Sequence, residues 1–318
     1  MDNRSLREAG TSDPARPGLE PLPAQANPQQ LVALLGSPNP WTRLTAQRLL
    51  VTGRASGVAT NLHRLVASSS ERPAPPLARL HALRTLEGLG ALDTTSLLLA
   101  LEDPEPGIRV NALQIASALR ERSPGVESRM AALLADPDAW VRMEAALAAG
   151  ALSRPPAGDL ARLLQRDRAW AWSRRAVLSA TSPTVAATML SEILPAALAS
   201  PPPPHTDAML SELTARAVAA DPAQSAVVIG QIVNHLLAAG TGAETLVAAT
   251  LQGARDGLSR APSRPALSDA ARDGLSRLAQ PSSPPTVFPR AWRLARALGL
   301  PDSADQITAV SAALRRAA

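Results

Sequence analysis

The chain has 318 residues, 46% of them apolar, and a formal net charge of +5, enough for a sizeable core in one continuous array or two subdomains. Aromatic residues make up only 2%, with no Tyr and a single Phe, so the core has to be built from Ala, Leu and Val, which suit close helix packing and argue against a sheet. All 32 basic residues are Arg and there is no Cys, which excludes a Walker-A or Schiff-base lysine, a thiol nucleophile, an iron–sulfur cluster, a cysteine zinc site and covalent haem attachment.

Residues 1–28 lack the apolar stretch of a signal peptide and scatter Arg4, Arg7, Glu8, Arg16 and Glu20 among Pro and Gly, which predicts a disordered leader. From Gln29 a signature returns five times, an Arg followed three residues on by a small or branched apolar residue: Arg43–Ala46, Arg79–Ala82, Arg109–Ala112, Arg142–Ala145 and Arg174–Val177. The arginines lie 36, 30, 33 and 32 residues apart, a period typical of tandem helical pairs that bury their apolar faces only against their neighbours. First helices are predicted over Gln29–Leu35, Val58–Ala67, Thr94–Leu101, Val126–Ala135 and Gly158–Gln165. Each ends at a turn rich in Pro, Asp or Gly, such as Asp103-Pro104-Glu105-Pro106 and Asp136-Pro137-Asp138-Ala139, where Pro stops one helix and Asp caps the next. The second helices carry the Arg and are predicted to bury Leu44, Ala46 and Leu50, then Leu80, Ala82, Leu83 and Leu86, then Val110, Ala112, Leu113 and Ala116.

Five repeats are therefore expected over 29–180. Over 181–318 the helices continue in degenerate form, with a break at 200–205 where Pro201–Pro204 forms a stiff segment. Helices are predicted at about 206–219, 223–239, 243–256, 266–280, 287–298 and 303–316. The heptapeptide Ala-Arg-Asp-Gly-Leu-Ser-Arg occurs at Ala254–Arg260 and again at Ala271–Arg277, and local duplication explains it better than a binding motif. No stretch approaches about 20 uninterrupted apolar residues, so no membrane span is expected. The fold class is all-α, a right-handed α-solenoid.

Five periodic guanidinium groups could bind a row of anions. A structural ladder is the stronger expectation, because Asp103 and Asp136 stand six residues before Arg109 and Arg142 and can pair with arginines within or between repeats. Arg43 and Arg79 have Ser37 and Pro73 at the corresponding positions and are expected to be the freer ones. They are the candidate partner-binding residues, together with Trp41 and Arg84 on the same two helices. Trp41, Trp140 and Trp172 each precede a signature Arg by two residues and are expected to pack over the inter-helix turns. The four His show no metal-ligand spacing, and no Gly-rich phosphate loop or nucleophile elbow appears, so no cofactor, metal or small-molecule substrate is expected and the chain is not expected to be an enzyme. Nucleic acid is disfavoured: residues 206–254 hold one Arg against four acids, and stacking aromatics are scarce.

At Ser37-Pro38-Asn39-Pro40-Trp41-Thr42-Arg43-Leu44-Thr45-Ala46 and at Leu77-Ala78-Arg79-Leu80-His81-Ala82-Leu83-Arg84 the chain resembles HEAT repeats. More specifically, it resembles the HEAT-like region of the large planctomycete and verrucomicrobial membrane-bound dehydrogenase proteins. Trp172-Ser173-Arg174-Arg175-Ala176-Val177 fits the later part of that array. The resemblance covers about residues 29–180 and implies a module lying between a sugar-dehydrogenase-like propeller and a c-type haem domain. The chain has no Cys-x-x-Cys-His, so the family's redox activity and haem are carried onto no residue here. The expected function is a non-catalytic scaffold for a protein partner of unknown identity. The alternatives are an accessory module of a multidomain haem-dependent dehydrogenase and an Arg-driven nucleic-acid binder. The compartment is unknown: cytoplasmic for the chain as it stands, exported if it is a fragment of that family.

Overall fold

A computed structural model describes residues 26–68, 74–199 and 201–317; Pro73 and the expected leader as far as residue 25 lie outside them. All regular structure among the described residues is helical. The helices are α1 Pro28–Leu34, α2 Pro40–Thr52, α3 Ala59–Val66, α4 Pro76–Gly88, α5 Thr94–Leu101 and α6 Pro106–Ala118. They continue as α7 Pro124–Ala132, α8 Ala139–Ala149, α9 Ala157–Arg166, α10 Ala171–Ala180, α11 Pro183–Ala199 and α12 Thr206–Val218. The last five are α13 Pro222–Leu237, α14 Glu244–Leu258, α15 Asp269–Leu278, α16 Phe288–Ala297 and α17 Ala304–Ala317. None of these helices is long and apolar enough to cross a membrane.

The residues that bound the helices are the ones that chain chemistry selects. Proline opens α1, α2, α4, α7 and α13, where its missing N–H has no partner to lose. Asn27 and Gln30 close a capping box on α1. Asn39, Asp93, Ser123, Asp138, Asp221 and Ser268 each accept a first-turn N–H of the following helix. In the turn 136–139 the two acids divide the work: Asp138 caps α8, while Asp136 accepts the Asp138 N–H and shapes the turn. Helices are expected to continue past 180 without bounds before the break at 200–205, and α11 occupies Pro183–Ala199 with Pro195 in its interior. Burial of Ala186, Met189, Leu190, Ile193 and Leu194 outweighs the one backbone bond that proline removes. His205, with φ 66, takes the left-handed conformation that turns the chain from the proline segment into α12.

The chain forms two compact units, Met1–Ile115 and Ala116–Ala318. In the first, α1 packs on α2, α2 on α4, and α3 on both α4 and α5. In the second, α8 packs on α10, α10 on α12, α12 on α14 and α14 on α16, while α9, α11, α13 and α15 contact one another in the same alternate manner. Most of these contacts join a helix to its successor or to the one beyond it, while α9 with α12 and α11 with α14 reach further.

The buried stripe of the signature helices differs from the expected one. Leu44 is 56% exposed, and Leu80 and Val110 are only half-buried. The residue before each signature Arg is buried instead, namely Thr42, Ala78, Ile108, Val141 and Ser173, along with Ala46, Ala82, Ala112, Ala145 and Val177 three residues after it. At 100° per residue, positions one before and three after the Arg lie about 40° apart, whereas positions one and three after it lie about 200° apart and cannot share a face.

Glycine lets α12 and α14 approach closely in the second unit. A Cβ at Gly253 would strike the Ser211 carbonyl, and one at Gly257 the Ala215 carbonyl and the Val218 side chain, so α12 and α14 meet almost backbone to backbone. In the second copy of the heptapeptide, Gly274 has the same role against Val233 and Leu237 of α13. The duplicated segment is thus a packing surface whose Ala and Gly face inward and whose first Arg faces out. Replacing Gly257 with Ala is expected to lower unfolding stability by about 2 kcal/mol. Gly158→Ala, at a site with room for the methyl group, is expected to be neutral or to gain up to about 1 kcal/mol. Urea denaturation of the two variants beside the wild type checks this difference.

Candidate functional site

The signature arginines point into the protein. Arg79, Arg109, Arg142 and Arg174 are more than nine-tenths buried, and Arg43 is half-buried. Each donates through Nη1 to backbone carbonyls of the turn before its own helix: Arg43 to Ser37 and Pro38, Arg79 to Ala74, Arg109 to Asp103 and Pro104, Arg142 to Asp136 and Pro137, Arg174 to Arg168. The Asp six residues upstream therefore offers its backbone, not its carboxylate, to the Arg of its own repeat.

The other edge of the guanidinium reaches further along the chain. Arg79 forks onto Asp103, with Nε to Oδ2 at 2.7 Å and Nη2 to Oδ1 at 2.8 Å. Arg142 forks onto Asp167 at 3.0 and 2.8 Å, and Arg174 onto Glu212 at 3.0 and 3.1 Å. The hydrogen bond to Asp103 raises the proton affinity of the Arg79 guanidinium further. These are bidentate, charge-assisted pairs. A ladder exists, but its rungs join each Arg to an acid 24, 25 or 38 residues later rather than six residues earlier.

This geometry corrects two expectations about the partner-binding candidates. Arg79 is not free: the absence of an acid at position 73 is irrelevant, because its partner Asp103 comes from the following turn. Arg84 is also fully engaged, donating to Asn111, Glu87 and Gln114 at 2.8, 3.0 and 2.6 Å. Arg43 retains a spare donor, since its Nε has no hydrogen-bond partner among the described residues. The imidazole Nδ1 of His81 lies 2.6 Å from Gln47 Oε1. No group of three or more metal-ligating side chains occurs among the described residues.

The tryptophans are more exposed than packing over the turns predicts, although Trp140 does meet Trp170 in the turn before α10. Trp41, Trp140 and Trp172 are 56%, 61% and 63% exposed. In the second unit Trp140 meets Trp170 edge to face with centroids 5.2 Å apart, and the Arg175 guanidinium lies 5.6 Å from the Trp172 ring. Leu147, two turns along α8 on the face of Trp140, is 47% exposed. Sequence reasoning missed this surface, although its signal was present: a residue two before a buried Arg is rotated about 200° from it.

No family model matches the chain, and no curated protein matches it. Among solved structures it is similar to an engineered protein from the Northeast Structural Genomics Consortium, with 17% identity and a TM-score of 0.39, covering 85% of this chain and 78% of that one. A second engineered protein from the same consortium gives 16% identity and a TM-score of 0.25 over 86% and 97%. Likenesses this low carry no argument about activity.

Truncating Arg142 to Ala leaves Asp167 buried without its counter-charge and is expected to cost about 3–5 kcal/mol in urea denaturation. Replacing the half-buried Arg43 by Ala leaves no such orphan among the described residues and is expected to cost under about 1.5 kcal/mol. A second expectation concerns pH. Burial, aided by the positive charge of Arg43, holds His81 below the ordinary imidazole value of 6.5. The unfolded chain then takes up a proton that the folded chain resists. The associated stability is fully present above pH 6.5 and declines as pH falls toward the folded value. Between pH 7 and 5 the urea midpoint of the wild type is expected to drop more than that of His81→Asn.

Proposed function

We infer that the chain is a non-catalytic interaction scaffold built as a right-handed α-solenoid of HEAT-like helical pairs. The reading of the architecture is supported by the five-fold return of the Arg signature and by the resemblance of residues 29–180 to HEAT repeats. It is supported too by the packing of most helices on their successor or the one beyond within both compact units. In this reading the second helices of the pairs within a unit line one face, a preformed surface that loses little conformational freedom when a partner docks.

The observation that carries the functional reading is the exposure of Trp140 and Trp172. In a chain with five Trp and one Phe, leaving two indoles mostly in water is a poor use of the largest apolar side chains unless something covers them. Tryptophan is among the residues most enriched at the energetic centres of protein interfaces. The partner is a protein that seats an apolar side chain against this aromatic surface.

Affinity capture from native lysate with the wild type and with a Trp140→Ser/Trp172→Ser variant tests this. A protein retained by the wild type and lost by the variant is expected, with the variant's unfolding stability within about 0.5 kcal/mol of wild type because both rings lie on the surface. Identical captures on both chains, or none on either, would overturn the reading.

A further inference from the structure

The arginine row that the sequence suggested as an anion site is used up in carbonyl and carboxylate bonds, but a different set of arginines converges on one place. A groove of about 490 Å³ elsewhere in the second unit is lined almost wholly by small apolar residues. A second groove, of about 440 Å³, lies across α10, α12 and the end of α14 and is lined by Arg175, Arg216, Arg260, Glu212, Asp256 and apolar or hydroxyl side chains. Its electrostatic balance follows from its hydrogen bonds. Glu212 is forked by Arg174 from beneath, so its charge is already matched. Asp256 accepts from Gln252 Nε2 at 2.8 Å. Arg216 spends Nε on the Thr181 carbonyl, which fixes the side chain and leaves its two terminal nitrogens without a partner among the described residues. The Arg260 side chain is exposed and makes no ion pair or hydrogen bond among the described residues, and Arg175 rests on the Trp172 ring. Four guanidinium groups, Arg174 included, thus meet two carboxylates, an excess of positive charge with unused donors.

We propose that this groove binds an acidic peptide segment of the partner protein, with carboxylates on Arg175, Arg216 and Arg260 and an adjoining apolar side chain on Trp172. The proposal rests on the scaffold reading and adds the chemistry of the partner. Arg175 joins the two halves of the surface, because it lies three residues after Trp172 on the same face of α10 and over its ring. A peptide is favoured over nucleic acid by the shape of the charge. The groove is short and is bordered by residues 206–254, where one Arg is set against four acids. A free phosphate is disfavoured because the lining comes from helix sides and the carboxyl end of α14, with no helix amino terminus to supply backbone N–H donors.

Fluorescence anisotropy with the full chain and a labelled peptide of alternating Glu and Leu tests it, with the matching Lys–Leu peptide, inorganic phosphate as competitor and a random duplex DNA as the other probes. The Glu–Leu peptide is expected to bind, to weaken about tenfold in an Arg175→Gln/Arg260→Gln variant, and to weaken as salt screens the pairing. Both positions are exposed, so the variant keeps its fold, which its urea midpoint verifies. Equal binding of the Glu and Lys peptides, no binding of either, an unchanged affinity in the double variant, full competition by millimolar phosphate, or preferential binding of DNA would each overturn the proposal. Failure here together with loss of lysate capture in the Trp140→Ser/Trp172→Ser variant leaves the scaffold reading standing and removes only the acidic segment. Failure of both removes the scaffold as well.

Discussion

The interaction on which the rest depends is a guanidinium held along two of its edges. One edge grips the carbonyl oxygens of the turn that precedes its helix, and for Arg79, Arg142 and Arg174 the other edge forks onto a carboxylate contributed later in the chain. Lysine cannot do this, because an ammonium presents a point charge rather than a planar fork with five donors. A buried charge costs several kcal/mol unless it is both paired and fully hydrogen-bonded, and these arginines meet both conditions with groups that would otherwise need partners themselves. The carbonyls preceding each helix are of that kind, since the turn that breaks one helix and starts the next leaves them outside any ladder. The clamp therefore fixes a turn, a helix start and a distance to a later element at once.

Once the Arg faces inward, the positions around it have no choice. The residues before it and three after it share the buried face, and small side chains occupy the latter in four of the five cases, Ala46, Ala82, Ala112 and Ala145. The residue two before the Arg is carried to the opposite side, so a Trp there has to meet solvent. The exposure of Trp41, Trp140 and Trp172 is a geometric consequence of the buried arginine. It is not a lapse in core packing. What calls for explanation is the use of tryptophan at a position the helix has already committed to the surface, and the proposed docking role is our answer to it.

Much of this was legible in the chain. The Arg period and the proline and Asp turns place most helices to within a few residues, as at Thr94–Leu101 and Thr206–Val218, because caps and stops are local chemistry. The bounds of α11 were not legible, because proline inside a helix is tolerated only where tertiary burial compensates for it, and burial is not a local property. The ladder was legible as a set of residue types but not as a set of pairs. Asp103 lies closer in sequence to Arg109 than to Arg79, yet its side chain serves the more distant one, since its own repeat needs its backbone instead. Arg175, Arg216 and Arg260 follow no common signature in the sequence, and nothing short of the folded chain brings them to one groove.

Helix α10 shows how the clamp and the surface constrain each other. Trp172 faces out, Arg174 faces in, and Arg175 turns onto the groove, three duties within four residues set by the 100° step of the helix. Arg174 matters to the groove although it does not line it. By occupying both oxygens of Glu212 it neutralises one of the two acids that line the groove, and the excess positive charge of Arg175 and Arg216 depends on that occupation. A chain that lost the third fork would do more than loosen α10 from α12. It would release a carboxylate into the groove, where it would compete for the same donors as any incoming anion, so the electrostatic character of this surface is set from inside by the interaction that holds the helices in place.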